Sequence, residues 1–417
     1  MTRFKYSQIF ITFFKLLFLI TLFFILFLGH NSWAYQTPNN ISDYSLIWEK
    51  NFGGNDTDTL NDLILLPDNH LITTGASGSY AREDAWESIW IQKIDNKGNM
   101  IKEEIIGDSS YNSGNTIIAA PNKHLIIGGE KNWLYCSSCI EIGESWITMV
   151  DYELNINWEK SFNVEGNTLI SDMASGKNNG FCLVGLSQFN RSGETKAWLA
   201  YANWNGDIVW SKTYDYLFQD RATGVLNLNN NGFLISGYSQ TANLSKSVAW
   251  IFKTDKNGKV EWKKDFETNK GINVLKKIIE LDEENFMAIG YTSAKGAGWQ
   301  DGWVIKISRD GEVLWDKTFG TKNKDIFSSA AKLDKYIIIA GTTYNPDKNA
   351  NDGWIVKIDE NGEVIWEHNI GGENDESFSG INIKNKNILY LFGSSSPAQS
   401  DSLNQNGWLV KINLNRQ

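Results

Sequence analysis

One segment of about fifty residues, repeated seven times, constrains this 417-residue chain more than any other feature. Its best-preserved copy runs DGWIVKIDENGEVIWEHNIGGENDE from Asp352 to Glu376. Trp90, Trp146, Trp198, Trp250, Trp303, Trp354 and Trp408 mark one position of the copy, at intervals of 51 to 56 residues. Trp158, Trp210, Trp262, Trp315 and Trp366 mark a second position, each 12 residues after a member of the first set. Lys102 takes that second position after Trp90, and Trp48 precedes the series alone. A glycine closing an apolar run marks a third position, at Gly75, Gly128, Gly185, Gly237, Gly290, Gly341 and Gly393. Repeats of this length belong to propellers and solenoids, in which each unit is too small to bury its apolar face alone and buries it against its neighbours.

Each copy reads as four short strands, and no stretch shows a helical apolar period of useful length. In the sixth copy the strands are DIFSSAAKL, KYIIIAG, GWIVKID and EVIWEHNI. The last two form a hairpin over Asp359-Glu360-Asn361-Gly362. A type I turn followed by a left-handed glycine fits this loop and pairs Asp359 with Glu363. Two-residue alternation then places Trp354, Val356, Ile358, Val364 and Trp366 on one face. The seventh copy stops after its third strand, GWLVKINLNRQ, whereas SLIWEKNFGG near the N-terminus supplies a fourth strand with no first three. Pairing the two leaves no open edge. The expected fold is all-β: a seven-bladed β-propeller of four-stranded blades, closed by an N-terminal strand completing the last blade.

At D-x-N-G-x-x-x-W the chain resembles the tryptophan-docking propellers of the quinoprotein dehydrogenase-like (PQQ-like) superfamily and related secreted bacterial repeat proteins. Gly206 and Trp210, Gly258 and Trp262, Gly311 and Trp315, and Gly362 and Trp366 have the family's spacing of glycine to docking tryptophan. The resemblance spans about residues 43–413, with a turn one residue shorter than the family's D-x-x-T-G. It implies a propeller. The adjacent cysteines over the cofactor that such dehydrogenases carry are missing, so no cofactor is implied. Kelch repeats place a glycine pair after the second strand, whereas Gly53-Gly54 and Gly371-Gly372 follow the fourth.

The N-terminal residues have a separate role. Arg3 and Lys5 precede the apolar run Leu16 to Gly29, and Ser32 and Ala34 supply small residues. This is the pattern of a secretory signal peptide cleaved after Ala34; the alternative is an uncleaved membrane anchor, since the apolar stretch nears the roughly 20 residues of a span. The expected organisation is residues 1–34 as signal peptide, 35–42 as linker and 43–417 as one propeller domain, secreted or periplasmic and monomeric. Removing three basic residues with the leader leaves 36 basic against 49 acidic residues, a net charge of −13. That field disfavours nucleic acid and anionic lipid as partners. Cys136 and Cys139 in YCSSC are expected to close a local disulfide in an oxidising compartment.

Function is expected in the connections between second and third strands, because loop variation on a rigid scaffold is where binding sites concentrate. Those loops carry the candidate binding aromatics Tyr80, Trp86, Trp133, Tyr135, Trp299 and Tyr344. On the same side, six residues past the end of the fourth strand, stand the candidate channel-mouth acids Asp58, Asp220, Asp325 and Glu376, with Asn112, Thr168 and Ile272 in the other copies. Such acids either bind a ligand or satisfy backbone N–H groups of their own turns. NPDKNAND, from Asn345 to Asp352, departs from a calcium loop, with Ile358 where the bidentate Glu belongs. Three histidines outside the leader, His70, His124 and His368, lie in different copies and support neither a metal site nor a triad. The function expected is an exported, non-enzymatic binding or scaffold module for a protein or glycan. The alternative is a secreted polysaccharide hydrolase or lyase using the channel-mouth carboxylates.

Overall fold

The structure, a computed structural model, describes residues 43–415 except 83–84, 108–109, 134–142, 165, 177–178, 190–192, 230–231, 269 and 399–403. The described residues are all-β, with 28 strands and no helix. A lone strand, β1 (Tyr44–Phe52), comes first. Seven units follow. Unit 1 comprises β2 (Asp58–Leu65), β3 (Leu71–Ser77), β4 (Ala85–Ile94) and β5 (Met100–Ile106). Unit 2 has β6 (Ser110–Ala120), β7 (His124–Trp133), β8 (Glu144–Asp151) and β9 (Ile156–Phe162). Unit 3 has β10 (Asn167–Ser175), β11 (Gly180–Gln188), β12 (Lys196–Asn203) and β13 (Ile208–Tyr214). Unit 4 has β14 (Gln219–Asn227), β15 (Phe233–Gln240), β16 (Ser247–Thr254) and β17 (Val260–Phe266). Unit 5 has β18 (Asn273–Glu280), β19 (Asn285–Thr292), β20 (Asp301–Ser308) and β21 (Val313–Phe319). Unit 6 has β22 (Asp325–Leu333), β23 (Tyr336–Asn345), β24 (Ala350–Asp359) and β25 (Val364–Ile370). Unit 7 has β26 (Asp375–Ile383), β27 (Ile388–Ser396) and β28 (Asn406–Leu414).

Within every unit consecutive strands pair antiparallel, and β1 pairs with β28 as the fourth strand of unit 7. Units 1 and 2 form one eight-stranded sheet because β4 meets β6 in a short parallel pairing at Ala85–Ser110 and Glu87–Tyr111. The same link recurs between later units as the parallel bridges Thr195–Gln219, Lys246–Gly271 and Gln300–Lys324. It laces the second-to-third loop of one unit to the fourth-to-first loop that follows it. Each first strand packs on the first strand of the next unit, and β26 packs on β2. The buried clusters lie between neighbouring units: Ile89 and Ile91 of unit 1 meet Leu125 and Trp146 of unit 2, and Leu60 and Leu71 of unit 1 meet Tyr390 and Leu409 of unit 7.

The repeated glycine has a steric cause. Every first strand carries one extra residue, a β-bulge, at Asn61, Asn115, Ser171, Thr223, Lys276, Ser328 or Ser379. A bulge bends its strand and presses one carbonyl toward the partner strand. The residue just before each bulge pairs with Gly75, Gly129, Gly185, Gly237, Gly290, Gly341 or Gly393. A Cβ on any of these seven glycines would fall on the carbonyl oxygen opposite, well inside the 3.0 Å that real Cβ contacts respect. In the second copy the glycine so placed is Gly129, not Gly128. Two adjacent glycines concealed this in the sequence, and only the pairing with Trp146 identifies the right one.

The hairpin turns form as the spacing predicts, but the tryptophan faces do not. Asp359 N–H donates to Glu363 O at 3.0 Å, and Gly362 adopts φ +76°. The fourth strand then carries a second bulge. Ile358 pairs with Val364 and Lys357 with Trp366, which skips Ile365 and inverts the alternation. Trp354 therefore packs toward unit 5 with Met287 and Ile289, whereas Trp366 packs toward unit 7 with Phe378 and Trp408. The expectation that the two indoles share a face is corrected by that one unpaired residue. Ile101, Val209 and Leu314 are skipped in the same way in other hairpins, and Ile47 in the pairing of β1 with β28.

The inversion lets each second-set tryptophan reach the next unit's hairpin. Trp48, Trp158, Trp210, Trp262 and Trp315 lie over Gly98, Gly206, Gly258, Gly311 and Gly362, where a Cβ would sit 2.7–3.2 Å from the indole. Those glycines all have φ between +74° and +85°, so they serve the turn and the docking together. The exception follows the same rule. Lys102 replaces the tryptophan in unit 1, donating from Nζ to Glu153 O at 3.0 Å. The hairpin it meets has Leu154, φ +61°, in place of glycine, because no indole needs the space.

Replacing Gly341 with Ala is expected to cost more than about 2 kcal/mol, since the bulged strand opposite must shift. Gly372→Ala, whose Cβ would meet nothing closer than 3.8 Å, should change stability little. Thermal unfolding of the two variants checks this, and equal melting points would contradict the steric account.

Candidate functional site

The acids that open the first strands face inward to their own units. Asp58, Asp220 and Asp325 are fully buried, and Glu376 nearly so. Asp58 Oδ2 accepts from Gly54 N at 2.9 Å and Ser79 Oγ at 2.6 Å, while Oδ1 accepts from Ser77 Oγ. Asp220 accepts from Tyr216 N at 2.7 Å and Leu217 N at 3.1 Å. Asp325 accepts from Thr321 N at 2.6 Å and from Thr343 Oγ1. Glu376 accepts from Gly372 N, and its Oε2 has no partner. Burial raises the Asp220 and Glu376 pKa values, partly offset by these donors. Asp58, Asp220 and Asp325 thus tie the loops before their strands to Ser77, Ser239 and Thr343 opposite, and Glu376 faces Ser395 in the ladder. Asn112 and Thr168 hold the equivalent place in units 2 and 3. In unit 5 it belongs to Asn273, paired with Thr292, and not to Ile272. The loop before it is one residue longer, which counting from Phe266 missed.

The loop aromatics sit on the side where those loops meet. Tyr80 lies against Trp90 at 5.4 Å between centroids, and its hydroxyl donates to Gly53 O at 3.0 Å. Trp86 is 69% exposed and stacks at 6.1 Å on Tyr111 of the next unit. Trp299 is 72% exposed, its backbone N–H donating to Asn323 O at 3.1 Å. Tyr344 is half-buried, its hydroxyl donating to Asn349 Oδ1. Trp86 and Trp299 belong to units 1 and 5, and no ring contact joins them among the described residues. Trp133 ends β7, and its side chain lies outside what is described, as do Tyr135, Cys136 and Cys139.

The bulges place polar side chains among the packed first strands, several of them lining an interior hollow. A bulge leaves ladder groups unpaired, and the neighbouring bulge supplies partners. Asn61 Nδ2 donates to Gly114 O at 3.1 Å, Asn115 Nδ2 to Ile170 O at 2.9 Å, and Thr223 Oγ1 to Leu275 O at 2.7 Å. Each acceptor is the residue just before the next bulge. One position further along, Asp62 accepts from Ile117 N at 2.9 Å and Asp172 from Val225 N at 3.0 Å. Lys277 crosses from unit 5 to bind both Asp172 oxygens at 2.9 and 3.0 Å. Burial opposes its charge, but Asp172 and Asp62 outweigh that and raise its pKa. Burial pushes Asp62 up to about 6 despite Lys277 and its two backbone donors.

Toward the aromatic loops this interior widens into two adjoining hollows of about 300 and 370 Å³, which share Lys276, Ser328 and Ser379. Arg221 and Tyr238 line the first, and Lys324 and Tyr291 the second. Arg221 Nε donates to Ser171 Oγ at 3.1 Å. Enclosure by the walls, then the like charges of Arg221 and Lys324, hold the Lys276 ammonium down at about 8. Glu130, within the field of Arg221, is pushed up to about 7 by burial, and its Oε2 has no partner. Sequence reasoning missed this cluster. Its signal was the charged residues inside otherwise apolar or small first strands, in VLKKII, DRATG and LISDM.

No family model and no curated protein matches this chain. Its fold is nevertheless shared with solved β-propellers. A protein of unknown function from Dyadobacter fermentans DSM 18053 is 8% identical over 90% of this chain and 100% of its own, with a TM-score of 0.54. A Drosophila complex of Plexin A with Semaphorin 1b matches at 10% identity, covering 90% and 88%, with a TM-score of 0.52. The polysaccharide lyase Uly1 matches at 10% identity over 85% and 90%, with a TM-score of 0.50. The chain is a β-propeller built of repeats, and these matches draw on several propeller groups without singling out the PQQ-like one.

Glu130 makes a pH-dependent prediction. Its pKa rises from 4.5 to about 7 on folding, so the folded protein keeps a proton that the unfolded chain has released. The cost is absent below the lower value, grows through that window and is full above it, at most about 3 kcal/mol. Glu130→Gln should therefore melt higher than wild type at pH 8 and together with it at pH 4. A difference that does not change with pH would contradict the assignment.

Proposed function

We propose that this chain is an exported, non-enzymatic, seven-bladed β-propeller that binds a glycan on the face bearing its second-to-third loops. Seven blades are supported by the seven first strands, each packed on the next, with β26 on β2. Closure is supported by the pairing of β1 with β28 from Tyr44–Leu414 to Phe52–Gly407. The leader pattern before Ala34 supports export, and among the described residues no helix is long and apolar enough to cross a membrane. The exposed indoles of Trp86 and Trp299 carry the reading. Leaving two such rings in water on one face forgoes the largest apolar burial a side chain offers, and a flat apolar surface with an N–H at its edge suits a sugar ring.

A glycan is favoured over a protein by the lining of the two hollows. The hollows are walled mostly by hydroxyls, with Ser171, Thr223, Ser328, Ser377, Ser379 and Ser394 among them. A protein partner would look for apolar pockets to anchor its side chains. Trp86→Ala and Trp299→Ala are each expected to weaken binding of a glycan identified by array screening by about 1–3 kcal/mol, roughly 5- to 150-fold. Calorimetry with the mature chain from Tyr35 measures this. Unchanged affinity in both variants would refute the reading. A polysaccharide hydrolase or lyase working through Asp220 or Asp325 would use carboxylates already engaged by turn N–H groups and hydroxyls. Turnover of the bound glycan that Asp220→Asn and Asp325→Asn both abolish, without unfolding, would favour that alternative.

A further inference from the structure

Three cations converge at the inner end of the proposed glycan face. Arg221 is the third residue of β14, Lys276 occupies the bulge of β18, and Lys324 immediately precedes β22. They belong to consecutive units and line the two adjoining hollows. The chain as a whole carries a net charge of −10, so this concentration of positive charge runs against its composition. None of the three has an ion-pair partner among the described residues, in contrast to Lys93, Lys131, Lys246 and Lys317, which each hold a carboxylate. Asp375 lines the second hollow and Glu130 lies within the field of Arg221, but both are otherwise placed. Asp375 accepts from Asn351 Nδ2 at 2.7 Å, and Glu130 resists ionisation in its buried position. Lys276 is exposed to the hollow, with Tyr238 and Tyr291 on the same wall. Like charges held together cost free energy that an anion between them recovers. An ammonium–guanidinium set backed by hydroxyls offers charge-assisted donors to a carboxylate or sulfate, together with partners for neighbouring sugar hydroxyls.

We propose that Arg221, Lys276 and Lys324 form an anion subsite, so that the glycan bound on this face is an acidic one whose carboxylate or sulfate enters the hollow. The proposal rests on the glycan reading for its natural ligand but not for the site itself. Two probes separate them. Titration of the mature protein with glucuronate or with inorganic sulfate, followed by chemical shifts or melting temperature, tests the subsite alone. Saturable binding that Lys276→Met and Arg221→Gln each weaken at least tenfold is the expected result. Lys276→Met should itself melt no lower than wild type, because it removes a repelled charge, so loss of binding is not loss of fold. Calorimetry with neutral, uronate-bearing and sulfated oligosaccharides then tests the glycan. The acidic ones should bind at least tenfold more tightly than the neutral one, and Lys276→Met should erase that preference. The stronger of the uronate and sulfate arms identifies the group. Small anions that bind equally to wild type and both variants, or do not bind at all, would overturn the subsite. If a neutral glycan binds as tightly as the acidic ones, with Trp86 still required, the subsite is overturned and the glycan module stands. If small anions bind through Lys276 and no glycan binds, the subsite stands and the glycan module falls.

Discussion

The bulge opposite a glycine is the contact on which the rest of this structure depends. At seven places the first strand presses a carbonyl so close to its neighbour that only glycine fits. The bulge bends each strand where it lines the interior and presents one polar side chain, from Asn61 through to Ser379, toward the next unit. Asn61, Asn115 and Thr223 use that side chain to satisfy a neighbour's carbonyl. Unpaired backbone groups would otherwise be expensive in an enclosed interior. Where the bulge residue is Lys276 there is no such bond to make, and the side chain is free for other chemistry. Ser171, Ser328 and Ser379 likewise line the hollow, Ser171 accepting from Arg221 Nε at 3.1 Å, so the cation cluster lies where bulge side chains are turned to the interior and not to a neighbour's carbonyl.

The outer contacts complement the inner ones. Third-strand tryptophans such as Trp198 and Trp250 are fully buried, where truncation costs about 3–5 kcal/mol each. Fourth-strand tryptophans are less buried but span the units, docking on the next hairpin's glycine. The pair in each hairpin serves two different interfaces because one residue between them is left out of the ladder. The exposed Ile101, Val209 and Leu314 are those omitted residues. Their exposure follows from the ladder geometry, without any need for a partner.

Much of the fold was legible in the sequence, because the repeat carries its own physics. Period, strand number, hairpin turns and the fit of β1 to the last unit all follow from tryptophan and glycine spacing. Three errors share one cause. Gly128 for Gly129, Ile272 for Asn273, and the shared face of Trp354 and Trp366 each depend on a one-residue insertion. Bulges and loop insertions shift alternation without altering composition, so spacing alone does not reveal them. The site was less legible. Asp58, Asp220 and Asp325 stood out because they recur, yet recurrence is what a structural role produces. Arg221, Lys276 and Lys324 occupy different places in the copy and converge only once the units are set side by side.

β1 pairs with β28, and in the proposed ring this pairing is the closure that holds all seven bulges around one interior. Closure requires the backbone of residues 44–52 to be as well protected as the outer strands within a unit. Hydrogen–deuterium exchange of this segment, compared with β13 and β17, measures that directly. Slow exchange comparable to those strands is predicted, with protection lost only when the whole molecule unfolds. Rapid exchange of residues 44–52 while β13 and β17 stay protected would show an open ring and contradict the account.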